Sequence, residues 1–588
     1  MKRCPECRRD YYDDTLLYCL DDGTPLLDGP ATIRSSDDEP ATAILSEPGA
    51  IATGFRGGEE QTRQQIPTTD QTAIFPRGAE AEPQRNLGDL SERPSLSAHR
   101  AAKPLVIIGV AVTLLVGGFF GYRYFGSNTK QIESIAVMPF VNESGNANVE
   151  YLSDGMTETL IGSLLQIPNL NVKARSSVFR YKGKETNPQT IGKELNVQTI
   201  LNGRVVMRGD DLTLYVELVN TTTENVLWKA EYNRSMANLV SLQGEIARDI
   251  SNKLRTRLSG AEQARVNKSY TENPEAYQLY LKGRYFWNKR TGEALTQSIG
   301  YFNQAIERDP NYALAYAGLA DAYVLIPVYS DGSPREFLPK AKAAAQKALE
   351  IDDTLAEAHT SLANALYFDW SFAEADREFR RAIELNPNYP TAHHWYGEYL
   401  RTAGRFDEAI AEVKRAQELD PLSLIINSDL GSGYITARQY DKAIEQLRKT
   451  IEMDQSFPIA HGTLGDAYAL KGLFPEAIAE YKRAQQLRGG VPKQVTVGYA
   501  LAALGQRAEA LKMLDQLKET AKTQYVSPYD FALLYTGLGD KEQAFQWLER
   551  GYQDHSTDMT ELKTDPFFDP LRSDPRFADL VRRVGLPQ

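Results

Sequence analysis

Cysteine is nearly absent. Three occur in 588 residues, at Cys4, Cys7 and Cys19. No disulfide framework therefore staples the chain after residue 19. Histidine is scarce too, with six in all, which leaves little raw material for histidine-based catalysis or metal binding. Positive charge is not in excess: 66 Lys and Arg face 78 Asp and Glu, a net −12. That balance lacks the basic footprint of a nucleic-acid binder, so no nucleic-acid partner is expected. The opening Met1-Lys2-Arg3-Cys4 is polar with no apolar run behind it, so no secretory signal is expected there. No Gly-rich loop with a following Lys and no HRD or DFG triplet occurs. Residues 1–103 are too short and polar for a catalytic domain, and the chain is expected not to be an enzyme. What is present is ordinary: 42% apolar and 24% charged residues, the balance of a globular protein. At roughly 100–200 residues per domain, the length predicts about three to five units.

One long apolar run exists, Leu105–Tyr122, with no charge inside it. Its length and uniform character predict a transmembrane helix over 104–125, with Tyr124 and Phe125 at the far interface. Arg85, Arg93, Arg100 and Lys103 before it outnumber Arg123 and Lys130 after it. The bias predicts a single-pass protein of the bacterial inner membrane, N-terminus cytoplasmic and C-terminal domains outside. Gly117 and Gly121 form a GxxxG that could pair two such helices into a homodimer. Residues 28–103 are rich in Pro, Gly, Ser, Thr, Glu and Gln and read as a disordered linker. Within it, Thr42-Ala43-Ile44-Leu45 and Thr72-Ala73-Ile74-Phe75 resemble each other. Phosphorylation of Thr42 and Thr72 is one reading and chance recurrence the other.

Residues 131–260 read as an α/β domain. Ser134–Val141 is a β-rich apolar run, and Tyr151–Ile167 carries Leu152, Met156, Leu160 and Leu164 at helical spacing. Three strand patterns follow over 198–207, 212–219 and 225–232, the first two joined by Gly209-Asp210-Asp211. Arg208-Gly209-Asp210 is thus a hairpin turn rather than an adhesion motif. An amphipathic helix over 242–258 closes a β-α-β-α-β-β-β-α order, one sheet with helices packed on it. Asp154 and Glu158 fall at a helix end, where capping or solvation explains them.

The remainder is repetitive. Glu-Leu-Asn-Pro387 and Glu-Leu-Asp-Pro421 lie 34 residues apart, with Glu-Ile-Asp-Asp353 and Glu-Met-Asp-Gln455 one period to either side. Ala375, Ala409, Ala443 and Ala477 step with them, as do Ala363, Gly397, Gly431 and Gly465. A 34-residue period with small residues at fixed offsets is the tetratricopeptide signature. It predicts about eight repeats over 274–558, an all-α superhelix, closed by a cap over 559–588.

Two shorter patterns point to chemistry. Cys4-Pro-Glu-Cys7 is followed by Cys19-Leu-Asp-Asp22, with Gly23-Thr24-Pro25-Leu26 behind it. The spacing resembles a zinc ribbon over 1–27 whose fourth cysteine is aspartate, with Cys4, Cys7, Cys19 and Asp22 holding one structural zinc. In the α/β region, Ile135-Ala136-Val137-Met138-Pro139-Phe140, Tyr151-Leu152-Ser153-Asp154-Gly155-Met156-Thr157-Glu158, Ala174-Arg175-Ser176-Ser177, Tyr181-Lys182-Gly183-Lys184 and Leu201-Asn202-Gly203-Arg204-Val205 stand out. With Ile191-Gly192-Lys193-Glu194-Leu195 and Leu227-Trp228, they resemble the TolB amino-terminal/FlgO-like domain. That family precedes tetratricopeptide arrays in bacterial sensor-type proteins, and the resemblance implies an extracytoplasmic binding or scaffolding domain.

The concave face of the array is the expected partner groove, lined by Asn364, Tyr367, His394, Glu398, Arg401 and Asp466. Thr360 stands where a carboxylate clamp needs Lys, which argues against chaperone-tail binding. His393 and His394 are adjacent on a helix and cannot chelate one metal together. The leading reading is a membrane adaptor that binds protein or peptide partners. A second is a ligand-sensing receptor whose α/β domain binds a small molecule, with the ribbon relaying a signal. A third is an enzyme accessory subunit.

Overall fold

The computed structural model describes residues 132–254, 258–330, 333–488 and 495–587, and the backbone of three two-residue strands nearer the N-terminus. The chain divides into two units, 1–101 and 102–588. In the first, β1 (Lys2–Arg3) pairs antiparallel with both β2 (Asp10–Tyr11) and β3 (Leu27–Asp28). Cys4, Cys7, Cys19 and Asp22 lie outside the described residues, as do Thr42, Thr72, Gly117 and Gly121.

In the second unit, β4 (Ser134–Val137) is a short buried strand. It runs parallel to β6 (Asn171–Val172) on one side and β7 (Thr199–Arg208) on the other. β5 (Val141–Asn142) also joins β7. β7, β8 (Asp211–Asn220) and β9 (Val226–Ser235) form an antiparallel meander. Gly209 and Asp210 make the first turn, with Arg208 paired to Asp211 and Gly209 at φ 63, a conformation glycine adopts without strain. Helices α1 (Glu150–Leu165) and α4 (Leu239–Lys253) pack on the sheet, burying Leu152, Leu160, Leu164, Leu242 and Ile250. Two short helices, α2 (Arg175–Phe179) and α3 (Pro188–Leu195), precede β7.

After α5 (Gly260–Val266) comes the array, in which eight helix pairs are described. The inner helices are α6 (Pro274–Trp287), α8 (Ala313–Tyr329), α10 (Ala356–Phe368), α12 (Pro390–Thr402), α14 (Leu424–Thr436), α16 (Pro458–Leu470), α18 (Thr496–Ala503) and α20 (Pro528–Gly537). Their partners are α7 (Gly292–Arg308), α9 (Pro334–Ile351), α11 (Phe372–Leu385), α13 (Phe406–Leu419), α15 (Tyr440–Met453), α17 (Phe474–Leu487), α19 (Arg507–Thr520) and α21 (Lys541–Gln553). Small residues set the pair spacing: a Cβ on Gly397 would fall 2.5 Å from Val413 Cγ2 and 3.1 Å from Ala409 O. The chain ends in 3-10 turns over Thr557–Glu561 and Pro566–Leu571 and in α22 (Pro575–Val584).

A ladder that sequence reading missed ties four successive pairs together. His359, His393 and His461, 34 residues or multiples of 34 apart, bond through Nδ1 to Glu378, Glu412 and Glu480 on the partner helix. Through Nε2 they meet the carbonyls of Asp353, Pro387 and Gln455. The repeat between substitutes both members: Asn427 donates to Pro421 O and accepts from Gln446 Nε2 at 3.0 Å. An ion-capable pair has become an amide pair with the same connectivity.

The inner-membrane placement is corrected. No helix among the described residues is long and apolar enough to cross a membrane. The most uniformly apolar of them, α8, has 17 residues and carries Asp321, and α9 is striped with Lys340, Lys342 and Lys347. The run Leu105–Tyr122 lies outside the described residues.

Candidate functional site: a cavity between the α/β domain and the array

The α/β domain grips the concave face at two places. At the first, α1 meets α6 closely enough that a Cβ on Gly155 would sit 2.9 Å from Leu281. Around that contact, Glu158 takes Arg284 at 2.6 Å and Asn288 at 2.7 Å, and Tyr277 donates to Gln243 at 2.7 Å. Arg175 reaches the same carboxylate at 3.1 Å. Burial alone would raise the Glu158 carboxyl, but the two guanidinium groups win and hold it below its ordinary range.

At the second place, the start of α2 meets the α13–α14 loop. Ala174 N–H donates to Leu419 O at 3.3 Å and Lys173 Nζ to Glu418 O at 2.9 Å. Ser176 and Ser177 both donate to Asp420, the latter at 2.5 Å, and Leu422 N–H donates to Ser177 Oγ at 2.9 Å. Arg180 adds a bond to Met453 O at 2.8 Å. The domain thus spans the groove from the first inner helix to the fifth.

Between the two grips lies a cavity of about 1080 Å³. Its walls come from α1, α2 and α4 on one side and from α6, α8, α10, α12 and α14 on the other. The volume is ample for a small-molecule site, which typically holds about 300–1,000 Å³.

The sequence-predicted groove residues separate into two groups. Asn364, His394 and Glu398 line the cavity. His394 Nε2 is 2.6 Å from Asp429 Oδ2 and 3.3 Å from Glu398 Oε1. Burial would lower this imidazole, but hydrogen bonds to Asp429 and Glu398 outweigh it and push the pKa up to about 10. The two acidic side chains thus favour the charged form of His394, while burial shifts Glu398 up, towards its neutral form. His393, its neighbour, belongs to the repeat ladder.

Tyr367, Arg401 and Asp466 sit instead against the C-terminal segment and its neighbours. Tyr367 OH bonds Thr402 at 2.8 Å and Thr560 at 3.1 Å. Arg401 pairs with Glu561 at 2.8 Å. Beyond them, Arg438 pairs with Asp569, and Trp370 stacks on His555 with centroids 3.8 Å apart. Asp466 accepts from Tyr481 OH at 2.7 Å, and burial pushes its carboxyl up to about 7. The array curls so that residues 555–569 cover this part of its inner face.

Sequence reasoning missed the cavity's basic and aromatic wall, formed by Arg284, Arg290, Trp287, Tyr329 and Tyr389. Four of these residues lie in the first repeats, outside the clearest 34-residue ladder, and Tyr389 lies at the α12 entrance beside it; no motif flags any of them.

Fold and site define a tetratricopeptide scaffold whose concave face is covered by an α/β domain. The tetratricopeptide family model matches residues 360–423 and 428–492. The model for the second domain of HilA/YgeH-like transcriptional regulators matches residues 130–249, in place of the TolB amino-terminal/FlgO-like domain expected there from the sequence. A curated protein named putative adenylate cyclase 3, from Rhizobium meliloti strain 1021, is 31% identical over 244 residues. That match covers 41% of this chain and 42% of the relative, so the chain spans less than half of that protein's length. Among solved structures, PilF of Pseudomonas aeruginosa is 19% identical, with 42% of this chain and 93% of that one covered and a TM-score of 0.28. YrrB, described as a TPR protein with an unusual peptide-binding site, is 24% identical, with 32% and 92% covered and a TM-score of 0.24.

Proposed function

We propose that this chain is a non-enzymatic, ligand-responsive interaction scaffold. The array presents surfaces to protein or peptide partners, and a small molecule held in the cavity sets how firmly the α/β domain grips the concave face. The observation that carries this reading is the cavity itself, walled jointly by domain and array. A ligand touching both walls has differential contact with the closed and open arrangements, which is what a population shift requires. A long peptide threaded along the concave face is disfavoured, because the α/β domain and residues 555–569 already cover it. The matches to a domain of transcriptional regulators and to a protein named as a cyclase support a regulatory setting.

The test is titration of the full chain with the neutral fluorophore N-phenyl-1-naphthylamine. Saturable binding that is lost in Thr391→Trp, which places an indole at the cavity wall, supports the reading. Binding unaffected by that substitution removes it. The ribbon spacing separately supports one structural zinc on Cys4, Cys7, Cys19 and Asp22. Elemental analysis of the full chain is expected to find one zinc, lost in Cys4→Ser, and a metal-free wild type would remove that reading.

A further inference from the structure

Three carboxylates at the basic end of the cavity are engaged, while Glu357 on the same wall is pushed up by burial, towards its neutral form. Glu158 gives Oε1 to Arg284 and Oε2 to Arg175 and Asn288. Asp321 gives Oδ2 to Arg284 at 3.3 Å and Oδ1 to Ser361 at 2.5 Å. Asp420 gives both oxygens to Ser176 and Ser177. The exposed Arg248 and Arg265 at the cavity rim aside, one lining cation among the described residues is left over. Among the described residues, the Arg290 guanidinium has no carboxylate at ion-pair distance and no side-chain hydrogen bond; its contact is the Trp287 ring, with Cζ 3.6 Å from the centroid.

Arg284 lies 4.1 Å from the same ring, so two guanidinium groups share one indole. Burial, with Arg284 as a like-charge neighbour, pushes Arg290 down to about 10, although Tyr329, Asp321 and Tyr389 act the other way. Arg290 is half-buried, and a cation drawn part-way out of water without a counter-charge is costly, so folded proteins tend to pair such groups. Two neutral polar atoms on the same walls are also without partners: the Trp287 indole N–H and Asn364 Oδ1, on side chains 6% and 4% exposed.

We propose that the cavity takes a planar organic oxyanion, a carboxylate or a phosphate ester, with its charge on Arg290 and its flat body among the aromatic walls. This rests on the ligand-responsive reading above and names the ligand's chemistry. The guanidinium supplies the forked donor that fits an oxyanion. Tyr329, Tyr389 and Trp395 supply flat apolar surface along the same cavity.

The experiment compares two probes of one shape: 8-anilinonaphthalene-1-sulfonate, an anion, and N-phenyl-1-naphthylamine, its neutral counterpart. Both are titrated into the full chain and into Arg290→Met and Arg290→Lys. A charge-assisted hydrogen bond of about 1.5–3 kcal/mol corresponds to about tenfold to a hundredfold in affinity. The anion should weaken by that factor in Arg290→Met and less in Arg290→Lys, while the neutral probe stays within about twofold. The melting midpoint of Arg290→Met should not fall, since the change removes an uncompensated cation. A lower midpoint with equal loss of both probes would make Arg290 a structural residue and overturn the proposal. Equal anion affinity in Arg290→Met, with the neutral probe still blocked by Thr391→Trp, would overturn the anion anchor and leave the cavity reading standing. If neither probe binds the wild type, the cavity reading falls and takes this proposal with it. Benzoate and phenyl phosphate then compete against the bound anion: displacement by either identifies the oxyanion, and displacement by neither overturns the proposal.

Discussion

Asp466 makes a sharp prediction because its environment sets the sign of a pH effect. Burial pushes its carboxyl from 3.8 up to about 7, and the acids Asp565 and Glu561 add to the rise. Below about pH 4 the group is protonated in folded and unfolded chains alike, and it contributes no pH dependence. Between about 4 and 7 the unfolded chain ionises it and the fold does not, so stability falls by about 1.4 kcal/mol per pH unit. Above 7 the loss levels off at a total on the order of 4 kcal/mol, an upper figure because the site is only partly shielded from water. Asp466→Asn keeps an oxygen that accepts from Tyr481 OH and removes the titration. Denaturant unfolding followed at pH 4.5 and pH 8 should show the variant close to wild type at the acid value and more stable by several kcal/mol at the alkaline one. Asp565, raised to about 6, and Asp530, raised to about 8, give the wild type the same trend, so the wild-type-to-variant difference isolates Asp466. A difference independent of pH, or a variant less stable at pH 8, would refute the reasoning.

Other substitutions separate fold contacts from binding contacts. Gly397→Leu forces side-chain atoms into Val413 and the Ala409 carbonyl and should cost about 1–3 kcal/mol or more in thermal or chemical unfolding. Tyr367→Phe loses hydroxyl bonds to Thr402 and Thr560 and should cost about 1 kcal/mol of stability without changing probe binding in the cavity. His393→Ala leaves Glu412 and the Pro387 carbonyl without their partner and should cost about 1–3 kcal/mol, whereas His393→Asn with Glu412→Gln, the pair used one repeat later, should recover part of it.

The repeat array was legible because one local pattern recurs at a fixed period. Ala375, Ala409, Ala443 and Ala477 mark the same helix-pair contact four times. The His and Asn ladder was equally periodic, and the spacing of Glu378, Glu412, Gln446 and Glu480 could have exposed it. The meander β7–β8–β9 was readable from alternation and from the turn at Gly209. The site was not readable, because its contacts join residues far apart in sequence: Ser177 to Asp420 spans 243 residues and Arg401 to Glu561 spans 160. No periodicity reports such pairings. Tyr367 and Arg401 carry the residue types of binding hot spots, yet here they anchor the C-terminal segment, so residue type alone did not separate a partner surface from an internal one.

The central claim is that the α/β domain closes the concave face. Amide hydrogen exchange at Ala174 and Leu422 tests it most directly, since these N–H groups donate across the closure to Leu419 O and Ser177 Oγ. Both should exchange slowly in the full chain. Both should speed up together in Asp420→Ala, while Ile200 in the sheet and Leu447 in the array stay protected. Fast exchange at Ala174 and Leu422 in the wild type, with Ile200 and Leu447 still slow, would mean that domain and array fold without closing on each other, and the cavity would not exist in solution.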